Sequence, residues 1–228
     1  MIAFQSRLIL VLFTLALAAE ATAQTRRPMP ERVFNRHAFA GLVHDIPAAH
    51  YASARLDYEL EGVSGAIHFS NCQQVENTSS ASIVEPQYAL FRLLAINCLA
   101  LKRHAQGLPA TRSYFPPQLS ESLVSVFPAT ATVNIGGHSE SVTGTSLRHN
   151  RKGWRASRAA HGGIKIATDE DERTYIIMSR ADFDQDGSED LLIRVDWAAR
   201  HGSGRGFDLV QLSRTSKNGP IHVSWRAP

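Results

Sequence analysis

The chain has 228 residues, 43% of them hydrophobic and 20% charged, with 24 Lys and Arg against 21 Asp and Glu for a formal net charge of +3. The length allows one large domain or two small ones. The positive excess is mild and spread along the chain, and there is no aromatic RNA-binding platform or recognition-helix motif, so no nucleic-acid partner is expected.

At the N-terminus, a basic stretch ending at Arg7 precedes an apolar run from Leu8 to Ala19, broken only by Thr14. Ala21-Thr22-Ala23 then fits the small-x-small pattern read by signal peptidase. Residues 1–23 are therefore expected to be a signal peptide cleaved after Ala23, placing the protein in the periplasm or outside the cell. The apolar run is well short of the roughly 18–20 residues that span a bilayer. The first cysteine is Cys72, which excludes a lipoprotein anchor, so no membrane anchor is expected. Residues 24–32, with Pro28 and Pro30, read as a disordered leader.

The remainder, 33–228, reads as a single α+β domain. Leu56–Leu60 and Ala66–Phe69 look like short strands joined by a turn at Gly62 and Gly65. A helix is predicted from about Pro86 to Gly107. Phe91, Leu94, Ala95, Cys98 and Leu99 follow its 3.6-residue period, and Leu90, Leu93 and Ile96 suggest cover on more than one side. Cys72 and Cys98 in an exported chain predict a disulfide, which chain entropy makes worth on the order of 3–4 kcal/mol for a loop of that length. A second helix is expected over Leu119–Phe127, ended by Pro128, and a strand over Thr130–Ile135. From His138 to Ala160 the pattern is that of a long loop or weak hairpin. The last part, 164–226, carries five short strands at regular spacing: Ile164–Thr168, Thr174–Ser179, the alternating Leu191, Ile193, Val195 and Trp197, then Phe207–Leu212 and Ile221–Trp225. They predict an antiparallel meander packed with the N-terminal helices and strands.

Between the second and third of these strands stands Asp182-Phe183-Asp184-Gln185-Asp186-Gly187-Ser188-Glu189-Asp190. Alternate side chains of a tight loop can converge inward, while Gly187 takes a backbone shape other residues resist. Asp182, Asp184, Asp186 and Asp190 would each give a carboxylate oxygen and Ser188 a backbone carbonyl. A bidentate carboxylate or water would complete the 6–8 oxygens of Ca²⁺; Mg²⁺, with its stricter octahedron, is second choice.

The pattern resembles the start of an EF-hand, but Ile193 stands where an EF-hand has its bidentate Glu, and both flanks read as strand. It is more similar to the strand–loop–strand calcium motif of FG-GAP and VCBS-type secreted proteins, over Ala181 to Leu192 and the apolar residues that follow. That resemblance implies Ca²⁺ held by Asp182, Asp184, Asp186, Ser188 and Asp190. The motif occurs once here, whereas those families repeat it blade by blade, so no β-propeller is implied.

Other groups carry weaker signals. His138, His161 and His201 each adjoin glycines, but no H-E-x-x-H or G-x-S-x-G pattern is present. Gly202 to Gly206 lacks the lysine and the following helix of a phosphate loop, and reads as a hairpin connection beside the acidic loop. Trp197 and Trp225 fall in phase with strand apolar residues and read as core. Arg148, Arg151, Lys152, Arg155 and Arg158 form the densest basic cluster, a solvated loop or else a phosphate site. A good metal loop without a catalytic motif favours a non-enzymatic binding or structural role, with an extracytoplasmic protein or glycan as partner. The alternatives are a secreted hydrolase with a structural calcium, and an envelope inhibitor or adhesion protein.

Overall fold

In this computed structural model the described residues are 32–39, 41–43, 51, 54–132, 146–149 and 152–228. The expected signal peptide, all but the last residue of the leader, His138 and the 133–135 end of the expected strand lie outside them. In chain order the elements are β1 (Val33–Phe34), β2 (Leu42–Val43), β3 (Arg55–Gly62), β4 (Gly65–Asn71), α1 (Cys72–Asn77), α2 (Tyr88–Gln106), α3 (Glu121–Ser125), β5 (Arg155–Arg158), β6 (Ile164–Ala167), β7 (Asp171–Ala181), β8 (Asp190–Ala199), β9 (Arg205–Ser213) and β10 (His222–Arg226). Broadly this is an α+β fold built mainly of antiparallel sheet.

The C-terminal alternation closes into a sheet ordered β10-β9-β8-β7-β6-β5, with β1 also paired to β7. Every pairing in it is antiparallel. A second antiparallel sheet, β2-β3-β4, lies apart in sequence and in pairing. The helix α2 sits between them. Phe91, Leu94, Cys98 and Leu101 pack with Leu56, Leu60 and Phe69 of the small sheet. Ile96 and Ala100 pack on Ile176, Met178, Leu192 and Leu209 of the large one. The far face of the large sheet is closed by Leu123, Val124 and Phe127 against Tyr175, Leu191, Ile193, Val195 and Val210. Two buried faces explain why β8 reads as a continuous apolar run from Leu191 to Ile193.

The Cys72–Cys98 disulfide forms, joining the first residue of α1 to the middle of α2. Several sequence expectations need correction. The second helix is only α3, because Ser120 caps it by accepting from Leu123 N and the chain leaves the helical path at Val126. Residues 130–132, read as the start of a strand, instead end a 3-10 turn, Ala129–Ala131. The polar stretch before Ala160 contains β5, an edge strand whose exposure removed the apolar signal. The glycine-rich 202–206 connection is a β8–β9 hairpin, but at the end of β8 opposite the acidic loop.

Bulges also shift faces. A register shift between Val223 and Trp225 lets Val223 pack with the far-face cluster while Trp225 packs on the α2 side. A second, between Ile177 and Ser179 in β7, brings Ser179 to His104 of α2 and sends Arg180 to the opposite face, onto the Pro116 and Pro117 carbonyls.

Candidate metal centre

The acidic stretch is the β7–β8 turn, flanked by strands as its sequence implies. Gln185 and Gly187 take positive φ, 66° and 82°, and the glycine fills the place where a left-handed backbone is least strained. Aspartate side chains fold the turn back on itself. Asp182 Oδ2 accepts from Gly187 N (2.8 Å), Asp186 Oδ1 from Ser188 N (2.6 Å) and Asp190 Oδ2 from Phe183 N (2.9 Å).

Asp182, Asp184 and Asp190 each offer one carboxylate oxygen to a group whose members all lie within 4.8 Å of one another. Two oxygens each about 2.4 Å from one ion can lie no more than about 4.8 Å apart, and these oxygens meet that limit pair by pair. Asp182 and Asp190 are buried and Asp184 is exposed. Asp182 Oδ1 is buried with no hydrogen-bond partner. An orphaned carboxylate oxygen at such depth is costly unless a cation meets it. Asp186 is exposed and stands outside the three-carboxylate group. Ser188 is buried; its hydroxyl accepts from Arg112 Nε at 2.9 Å.

Burial pushes Asp190 up to about 6, the charges of Asp184 and Asp182 adding to the rise while hydrogen bonds from Ser213 and the Phe183 amide oppose it. A bound cation would reverse that balance by favouring the ionised form.

The turn is clamped by the chain that follows α2, which its sequence did not announce. Leu108 and Asp182 exchange two backbone hydrogen bonds of 2.8 Å. Gly187 O accepts from the backbone N–H groups of Thr111 and Arg112 and from Thr111 Oγ1. Arg112 Nη2 donates to Asp186 O, and Glu189 N to Arg112 O. From beneath, Arg103 of α2 donates to Gln211 Oε1, and Gln211 Nε2 donates to Asp190 Oδ2 at 3.1 Å. Glu189, the acidic residue outside the metal pattern, is held by Arg180 through two bonds and by Ser113 Oγ. These partners lie 76 residues from the loop for Arg112 and 21 for Gln211, with no spacing motif to reveal them.

The remaining sequence candidates do not converge on this centre. His161 and His201 are exposed in other loops, and Trp197 lies half-buried against Gly206. Compared with protein-family models, curated proteins and solved structures, the chain has no significant match.

Proposed function

We propose that this is an exported calcium-binding protein in which the ion braces the β7–β8 turn against the chain leaving α2, in a binding or structural rather than catalytic role. The observation that carries the reading is the buried, unpartnered Asp182 Oδ1 within an all-oxygen group. Hard oxygen donors on a flexible turn favour Ca²⁺ over Mg²⁺, which demands a stricter octahedron. Asp186 and the Ser188 carbonyl are the further oxygens that the pattern shared with FG-GAP and VCBS-type loops would contribute. Export is supported by the signal-like N-terminus and by a disulfide, which suits an oxidising compartment. Among the described residues, no helix is long and apolar enough to cross a membrane.

The test is the thermal midpoint in EDTA and through a Ca²⁺ titration, for the parent and for Asp184→Ala. Binding to the native state alone adds about 1.4 kcal/mol at free calcium ten times its dissociation constant. For a domain of this size that is a rise of about 3–6 °C. A saturable rise in the parent that is absent from the variant supports the reading; no rise, with no heat of binding, overturns it.

A further inference from the structure

A cavity of about 610 Å³ opens on the side of the large sheet away from α2, between β1, the 117–119 chain and the β5–β6 hairpin. Its volume falls in the range of small-molecule sites, about 300–1,000 Å³. Leu119, Ile164 and Ile177, of the far-face core, give it an apolar floor. Among its described lining residues there is no Asp or Glu, whereas Arg36, His37, Arg158, His161 and Arg180 all contribute.

Two of the arginines are already engaged. Arg180 is bound by Glu189 and by the carbonyls of Pro116 and Pro117, and Arg36 has a partner of its own. The side chains of His37, Arg158 and His161 are exposed and, among the described residues, make no hydrogen bond or ion pair. Arg158, with no ion-pair partner among the described residues, stands with two imidazole rings on a partly apolar hollow, an arrangement complementary to an anion.

The rim is also held in place. His161 has φ 57°, outside the usual range for a residue with a side chain, and Gly162 follows at 74°. Asn35 Nδ2 donates to His161 O at 3.1 Å and to Ile177 O at 3.0 Å, tying this turn to β7. Gly163 lies so close to β7 that a Cβ there would sit 3.0 Å from Ile176 Cγ1 and 3.1 Å from Tyr175 O. Such a backbone persists only where its surroundings hold it, and it fixes where the His161 side chain can reach.

We propose that this cavity binds a small organic anion, with its apolar body on Leu119, Ile164 and Ile177 and its carboxylate or phosphate met by Arg158 and His161. The metal centre has no part in the argument. The test is calorimetric titration with phenyl phosphate and with benzoate, beside inorganic phosphate and uncharged benzyl alcohol, in calcium and in EDTA. Arg158 lies exposed on an edge strand and Asn tolerates the left-handed backbone at 161, so Arg158→Ala and His161→Asn are expected to fold, as circular dichroism will check. At least one aromatic anion should bind below about 1 mM, with benzyl alcohol and inorganic phosphate weaker by about tenfold or more, and each substitution lowering affinity several-fold. Absence of binding up to about 10 mM, equal binding of the uncharged probe, or affinity unchanged in both variants overturns the proposal.

Discussion

A buried carboxylate with one unmet oxygen destabilises the metal-free fold, and this gives Asp182 an unusual signature. In Asp182→Asn the amide oxygen can keep the bond from Gly187 N, while its NH₂ group faces carboxylates instead of adding a third charge. The variant should match or exceed the parent's thermal midpoint in EDTA and should lose the calcium-dependent rise. A variant destabilised by about 1 kcal/mol or more in EDTA would show that the charge itself is satisfied without metal. His104 offers a second residue-scale test. It is buried in the last turn of α2, with Nδ1 2.7 Å from Ser179 Oγ and its ring 5.3 Å from that of Phe34. Burial, and then the charge of Arg32, lower its pKa to about 4. Because the folded value lies below the unfolded one, its contribution is complete above pH 6.5 and is lost as pH falls toward 4. The full loss is about 3 kcal/mol. Asp190, raised by burial, shifts stability the opposite way in part of this window, so the quantity to read is the difference between parent and His104→Gln. In urea titrations the parent's midpoint should fall more steeply than the variant's from pH 7 to about 4, and parallel curves would refute the assignment.

At the scale of elements, the contact between α2 and the turn depends on Gly107. Its φ is −69°, so conformational freedom does not explain the glycine; space does. A Cβ there would meet Ala181 Cβ at 2.7 Å and the Phe183 ring at 2.9 Å. Gly107→Ala should therefore push the end of α2 from the loop, costing about 1–3 kcal/mol by urea denaturation and weakening calcium binding in step. A loss of stability with affinity unchanged would mean that the loop holds its shape without the helix. From sequence, Gly107 marks a helix stop, and that is correct as far as it goes. What period and punctuation make legible are elements with a one-sided or continuous apolar signal: α2, β3, β4 and the strands from Ile164 onward. They miss β5, whose burial pattern is mostly exposed, and they overextend α3, whose apolar residues continue past the cap. They also cannot see a bulge, so a period of two puts Val223 and Trp225 on one face when the register shift separates them. The acidic loop was legible because its groups are local. Arg112, Gln211 and the cavity around Arg158 were not, since each is assembled by contacts between distant segments.

For the whole molecule, the consequence lies in how its layers share α2. One side of the helix is tied to the small sheet through Cys98 and its apolar neighbours, and the other is bonded to the large sheet. Arg194 of β8 reaches Asn97 Oδ1 at 2.6 Å and Ala38 O at 2.7 Å while pairing with Asp196. Arg103 reaches Gln211, and the residues just past the helix hold the metal turn. A cation at Asp182, Asp184 and Asp190 would then restrain two segments at once, the turn and its clamp, because the hydrogen bonds of one end in the other. Hydrogen exchange with and without Ca²⁺ should show this directly. Amides of Phe183, Gly187 and Ser188 should slow, together with those of Leu108, Thr111 and Arg112, whose acceptors are Asp182 O and Gly187 O. The β3–β4 hairpin shares none of these bonds and should exchange at the same rate in both conditions. If only 183–188 slow, the ion closes its own turn and does not brace the layers. If exchange slows everywhere, calcium governs global unfolding, and the two-segment clamp is the wrong description.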